Sequence, residues 1–332
     1  MGDIYRVIGA EESPYSVKVR TYFRYKGIPH RWMGRAAAGA LYERHARLPL
    51  VPLVVTPDDR GIQDSTPIIE ALEPEFPEPG IHPDEPVAAF VSALLEEFGD
   101  EWGNKWMFHF RWAREVDQIA CARRLAASMG AGLGVEELEA AARNVVERMV
   151  NRVWFVGSNA VTAPQIEQSF QDAIGLLERH LIGRPYLFGG RPAFADFGLW
   201  GQIYNARRDP TPAAIVATAP RVNQWIDRML MPTVEGEFES WSALAPTLVP
   251  LLADQVGALF LPWSAANAAA IGAGDEEFTV SLKGNDWTQK PQKYHARSLG
   301  ALKAKYEAAK DTPGLRDVLG ETGCLEVLER AM

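Results

Sequence analysis

The sequence predicts an α/β domain followed by an all-helical domain, and three observations predict it. Within residues 1–80, short β-rich runs alternate with amphipathic helical runs. Five prolines (Pro74, Pro77, Pro79, Pro83 and Pro86) then crowd one short stretch. Beyond it the apolar pattern is almost wholly helical.

Taken in order, Ile4 to Ile8 reads as a strand. Pro14 to Lys26 reads as a helix with Tyr15, Val19, Tyr22 and Phe23 on one face and Gly27 as its stop. His30 to Met33 is a second strand, and Leu50 to Thr56 a third, closed by the turn residues Pro57 to Gly61. Gly61 to Gln63 is a short strand and Thr66 to Leu72 a helix. The order is β-α-β, then β-β-α. The proline-rich segment forms a stiff linker, set at 81–86, and separates this domain from a helical one over 87–245. There Val87 to Met129, Val135 to Val156, Gln165 to Leu181, Leu199 to Arg207 and Val222 to Leu230 carry helical patterns. Residues 246–332 form an extension, helical except for a strand-like piece at Phe278 to Leu282, and are expected to pack on the helical domain.

Charge narrows the function classes. The 34 basic and 43 acidic residues leave a net charge of −9, which argues against nucleic-acid or anionic-membrane partners, since both favour basic patches. Two cysteines far apart, Cys121 and Cys324, exclude a zinc ribbon and a dithiol site. The start, Met1 to Tyr5, has no secretory pattern, so the cytoplasm is the expected location. Ala243 to Gly274 is apolar with Asp254 as its one charge. Pro246, Pro250 and Pro262 interrupt it, and buried helices are expected rather than a membrane span. The six histidines are dispersed and no metal site is expected; His109 lacks a partner at ligand spacing.

Three constellations carry chemistry. In Glu12-Ser13-Pro14-Tyr15-Ser16, proline at the first helical position places Ser13 at the N-cap, where free N–H groups and the helix dipole favour negative charge. Taken alone, plain capping is the simpler reading. Val51-Pro52 interrupts an apolar run. A cis bond would turn the Val51 N–H and C=O outward like an open sheet edge, whereas a trans bond would open an edge strand, and both readings stand. Asp64-Ser65-Thr66-Pro67 starts a second helix, whose N–H groups suit a carboxylate while Asp64 suits an ammonium. Such a pair fits the free end of an amino acid; capping alone is again the plainer alternative.

Together, in this order and spacing, the three resemble the glutathione transferase superfamily over roughly residues 3–230. The resemblance implies a thioredoxin-like first domain and an all-α glutathione-transferase-type second domain. It implies that Ser13 holds the thiol of glutathione as co-substrate, that Val51 and the cis-Pro52 pair with its cysteinyl part, and that Asp64 and Ser65 hold its γ-glutamyl end. Tyr15 belongs to the same binding set. A two-fold homodimer and a detoxifying transferase or lyase activity are further implications. Arg191 to Leu199 is similar to the capping box of a central family helix, with Asp196 present and Ala193 where a Ser or Thr is usual.

Ionising a thiol of pKa about 8.5 at neutral pH demands roughly 3 kcal/mol, to which a hydroxyl donor at a helix N-terminus contributes. Ser13 is the expected donor and Ser16 the reserve, with Tyr5 and Tyr15 weaker candidates. Glu12 is an unfavourable neighbour for a thiolate unless it points to solvent. A hydrophobic electrophile is expected against the helix bearing Trp102, Trp106 and Phe108, although an aromatic stripe is as readily core. The alternative function is a catalytically weak glutathione-binding or scaffolding protein of the same fold.

Overall fold

The computed structural model describes residues 4–129 and 134–330, so Met1 to Asp3 of the predicted start lie outside the described residues. The first domain runs β1 (Tyr5–Ile8), α1 (Pro14–Tyr25), β2 (His30–Met33), α2 (Arg35–His45), β3 (Leu53–Val55), β4 (Gly61–Gln63) and α3 (Ser65–Leu72). The sheet order is β2-β1-β3-β4. β1 and β2 are parallel, joined through α1, and the other two pairings are antiparallel. Strand alternation divides the core. Val7 and Val54 face α1 and α3 in the main cluster, while Ile8, Leu53 and Val55 pack with Ala38 and Tyr42 of α2.

α2 is the one element of this domain that the sequence pattern did not indicate. It buries only Ala38 and Tyr42, and Gly39 breaks it with a φ of 45°, so it has almost no amphipathic signature. The proline-rich segment is less a free linker than a tethered one. Lys26, at the end of α1, donates to the carbonyls of Phe76 (2.8 Å) and Pro79 (2.7 Å) and to Glu73 Oε1 (2.8 Å).

The helical domain comprises α4 (Pro86–Phe98), a π-helical turn (Gly99–Gly103), α5 (Asn104–Ala113), α6 (Glu115–Met129), α7 (Val135–Val150), a 3₁₀ turn (Val153–Val156), α8 (Ala163–His180), α9 (Phe194–Arg207), α10 (Pro210–Val216) and α11 (Pro220–Arg228). The stretch predicted from Val87 to Met129 is therefore three helices. α9 is central and buried along nearly its whole length. Its capping box survives in half. Asp196 Oδ2 accepts the Ala193 N–H at 2.8 Å, while Oδ1 takes the Leu187 N–H and the Trp225 indole N–H. The Ser/Thr hydroxyl of the usual box is missing, and further donors on Asp196 replace part of what it would contribute.

The extension begins as one helical run from Trp241 to Ala273: α12 (Trp241–Leu251), a π-helical segment (Leu252–Phe260) and α13 (Leu261–Ala273). The three prolines do not end it, contrary to the sequence expectation. By length and composition it could cross a membrane, but half of its most apolar window is buried within the protein. Leu248, Val256 and Trp263 join the main core. Gly257 admits the Thr322 carbonyl to within 1.9 Å of where a Cβ would stand, so the C-terminal turns can close on this helix. β5 (Phe278–Leu282) and β6 (Asn285–Gln289) form a hairpin whose turn, Lys283-Gly284, has positive φ at both residues. α14 (Lys293–Ala309) returns along α4, followed by α15 (Leu315–Glu321) and α16 (Leu325–Glu329). α14 also reaches the first domain, where Lys305 pairs with Glu70 at 2.6 Å, so the extension is not packed on the helical domain alone.

Candidate functional site

Strand register brings the three sequence constellations to one end of the sheet. Ile8 pairs with Leu53, and Leu53 with Gln63. The loop after β1 (Gly9 to Ser13), the residues before β3 (Val51-Pro52) and those after β4 (Asp64-Ser65) therefore leave the sheet side by side. The Asp64 N–H donates to the Pro52 carbonyl at 3.3 Å, which joins two of them directly.

Ser13 caps α1 as predicted, but weakly: its Oγ accepts the Ser16 N–H at 3.3 Å. Among the described residues its hydroxyl donates to no acceptor, and the residue is half-buried, so the proton is available at the open end of the helix. Ser16 is different. It is fully buried with an unpartnered Oγ, and its Cβ stands 2.8 Å from where a Gly9 Cβ would be, against the sheet side of the helix. It is not placed to serve as a reserve donor. Tyr15 donates its hydroxyl to the Asp100 carbonyl at 2.9 Å and so braces α1 against the helical domain. Tyr5 bonds to Glu75 at the sheet surface, away from this end.

Glu12 does not point to solvent. Its carboxylate is enclosed by Arg208 (3.0 Å), Arg124 (3.3 Å) and Arg111 (3.8 Å). Arg111 and Arg124 also pair with the fully buried Asp209. Three guanidiniums against two carboxylates leave the base of the Ser13 loop positive. Arg111 and Arg208 further donate to the carbonyls of Glu12 (2.7 Å) and Glu11 (3.0 Å), pinning that loop to the helical domain. No local pattern announces arginines at 111, 124 and 208; the anomalous Glu12 beside Ser13 was the available signal.

Val51-Pro52 is cis. Among the described residues neither the N–H nor the C=O of Val51 has a hydrogen-bond partner, and both are free to pair with an extended peptide. Asp64, at φ 84°, caps α3 through Oδ1 on the Ser65 N–H (2.7 Å), and its Oδ2 accepts the Tyr294 hydroxyl of α14 (2.8 Å). Burial raises its carboxyl above the usual range. Ser65 is turned inward: its Oγ lies 3.4 Å from Lys18 Nζ and 3.3 Å from Asp100 Oδ2.

Lys18 is buried between the domains, donating to Glu96, to Asp100 (2.6 Å) and to Thr66 Oγ1 (3.1 Å). Burial works against its charge, but the carboxylates of Asp100 and Glu96 outweigh that and raise its pKa. Burial likewise pushes the Asp100 carboxyl up to about 7. The groups are coupled, and Lys18 stays the cation among them.

The aromatic stripe is core and not a pocket wall. Trp102 and Trp106 are at most 1% exposed, and both indole N–H groups donate to Ser169 Oγ at 2.9 Å. Phe108 is half-buried between two hydrophobic clusters. Trp102 joins Trp263 and Trp287 of the extension around Lys105, whose Nζ lies 3.5 Å from the Trp263 ring centre. Burial holds that amine well below its usual pKa. His109 is engaged by Ser158 and Glu167.

Residues 12–75 match the family model for the glutathione S-transferase N-terminal domain, and residues 136–228 that for its C-terminal domain. No curated protein matches the chain. Solved structures similar to it include a glutathione S-transferase from Methylobacterium radiotolerans in complex with glutathione sulfonate (19% identity, 71% of this chain and 98% of that one, TM-score 0.36). Another is the Tau class glutathione S-transferase of mango, Mangifera indica (16%, 76% and 100%, TM-score 0.42). A third is a glutathione S-transferase from Methylobacillus flagellatus with glutathione bound (17%, 68% and 94%, TM-score 0.41).

Proposed function

The chain belongs to the glutathione transferase superfamily, and on that premise we propose that it is a glutathione-dependent transferase or lyase acting on a hydrophobic electrophile. The observation that carries the reading is the meeting, at one end of the sheet, of an uncommitted Ser13 hydroxyl, an unpaired Val51 backbone and the Asp64 carboxylate. In this reading Ser13 donates to the glutathione sulfur, Val51 pairs with the cysteinyl backbone and Asp64 receives the γ-glutamyl ammonium. The thiol proton passes to solvent. The thiolate then forms a C–S bond as the electrophile's leaving group departs with its electron pair, or as an epoxide or enone opens onto oxygen. The net positive charge of the Arg111, Arg124 and Arg208 group favours that thiolate. The proposed setting is the cytoplasm, and the proposed assembly a homodimer.

One observation favours the second reading, a fold kept for binding or scaffolding: Ser65 Oγ and both Asp64 oxygens already have partners within the chain. Calorimetric titration with glutathione and a turnover assay together separate the two. Saturable binding that Asp64→Ala weakens at least ten-fold, accompanied by turnover, supports the first; binding without turnover supports the second, and no binding at millimolar ligand refutes the first. Turnover across aryl halides, epoxides, hydroperoxides and aryl ethers then identifies the electrophile.

A further inference from the structure

The start of α14 reaches the Asp64 end of the site. Glu101, itself buried, anchors that turn by accepting from Ser298 Oγ at 2.9 Å and by contact with His295 Nδ1. Lys305 to Glu70 fixes the same helix three turns further on. Between these anchors and the sheet, Tyr294 donates its hydroxyl to Asp64 Oδ2 at 2.8 Å and remains 48% exposed, at the rim of the site.

That geometry has a chemical consequence. A phenol that donates its one proton to a carboxylate presents its remaining lone pairs elsewhere, so it can accept from an N–H group. A carboxylate oxygen holding one donor can also take a second. Asp64 Oδ2 and Tyr294 Oη therefore form two adjacent acceptors. The carboxylates of Asp64 and Glu101 are close enough to act on both Tyr294 and its neighbour Tyr15, and that of Asp100 acts on Tyr15. The nearby Lys18 is already engaged by Glu96 and Asp100. Such a place suits a primary ammonium.

We propose that Tyr294, supplied by the C-terminal extension, is a specificity-determining residue that receives the α-ammonium of the γ-glutamyl group together with Asp64. The inference rests on the glutathione reading above and assigns the extension a part in ligand selection. It predicts selectivity for ligands with a free α-amine at that end.

The test compares glutathione with its N-acetyl derivative, in which the ammonium is replaced by an amide, on the full-length wild type and Tyr294→Phe. In the wild type, glutathione should bind at least ten-fold more tightly than the derivative. Tyr294→Phe should weaken glutathione binding about ten-fold, the scale of one hydrogen bond to a charged group, and leave the derivative's affinity unchanged. Equal weakening of both ligands assigns Tyr294 a merely structural role and overturns the proposal. So does a Tyr294→Phe variant whose glutathione affinity equals that of a wild type that binds glutathione. A wild type that binds neither ligand overturns the glutathione reading and this inference with it. Ser298→Ala, which loosens the α14 anchor without touching the acceptors, should give a smaller loss in the same ligand order; a loss equal for both ligands counts against the proposal.

Discussion

Replacing Ser13 with alanine removes one hydroxyl, and the structure separates its cost to folding from its cost to chemistry. Its cap on the Ser16 N–H is long, 3.3 Å, and the Ser13 carbonyl takes the same N–H at 3.1 Å. Losing the side-chain contact should therefore cost at most about 1 kcal/mol of stability. A hydrogen bond to a thiolate is worth about 1.5–3 kcal/mol. At 1.36 kcal/mol for each pKa unit, its loss raises the bound thiol's pKa by roughly one to two. Below both pKa values the thiolate fraction falls by about 10- to 100-fold, and the turnover rate should fall with it. In the proposed binding mode glutathione affinity rests on the backbone of Val51 and on Asp64, so it should change little. The assay is the ultraviolet absorbance of the bound thiolate followed against pH, alongside the pH dependence of kcat/KM. Both midpoints should move upward in Ser13→Ala, and the rate should recover at alkaline pH. Coincident midpoints in variant and wild type would refute the role of Ser13, whatever happened to the absolute rate.

Other substitutions test the surroundings. Glu12→Gln leaves Asp209 as the one carboxylate among three guanidiniums, so the bound thiol should ionise at lower pH; a midpoint that rises contradicts the electrostatic account. Gly201→Ala should weaken both glutathione binding and thermal stability, because its Cβ would stand 2.7 Å from the Pro14 carbonyl beside Ser13. Gly272→Ala, with nothing within 4 Å, is the control and should be neutral or gain up to about 1 kcal/mol in urea unfolding. Burial, offset in part by the Leu187 carbonyl, lowers His180 to about 4. It stays neutral in the fold while the unfolded chain takes a proton below about 6.5, so its stabilising contribution is complete above pH 6.5 and is lost as pH falls toward 4, by up to about 3 kcal/mol. Asp196, raised to about 7 by burial, binds its proton on folding over the same range and opposes this. The readout is therefore the difference in urea midpoint between wild type and His180→Gln from pH 7 to 5, which should narrow on acidification; a constant difference refutes it.

Much of the fold was legible because its signals are local. Strands at His30–Met33 and Gly61–Gln63 match their sequence reading residue for residue, as does β5 in the extension. What was not legible depends on packing. α2 has too little buried surface to leave a pattern. The first long helical stretch passes through a π-helical turn at Gly99–Gly103, where α9 crosses so closely that a Gly99 Cβ would meet the Leu199 N–H nitrogen at 2.7 Å, and it breaks at Arg114, whose backbone is extended. The prolines in the Trp241–Ala273 run predicted breaks by their own geometry, yet the run stays helical with half of its most apolar window buried.

The site divides in the same way, and the division bears on how its chemistry is controlled. Ser13, Val51-Pro52 and Asp64 are short motifs at turn positions, each readable from its neighbours. Charge and access are set instead by residues distant in sequence: Arg111, Arg124 and Arg208 around Glu12, and Tyr294 on Asp64. Periodicity could not assign Trp102 and Trp106 either, because a stripe of tryptophans looks alike whether it faces a ligand or Ser169. The contacts that the motifs make are thus local properties, while on the proposed function the ionisation of a bound sulfur and the choice of ligand rest on helices that reach the first domain only through tertiary packing. Variants in those helices should accordingly shift pH midpoints and ligand preference without altering the motifs themselves.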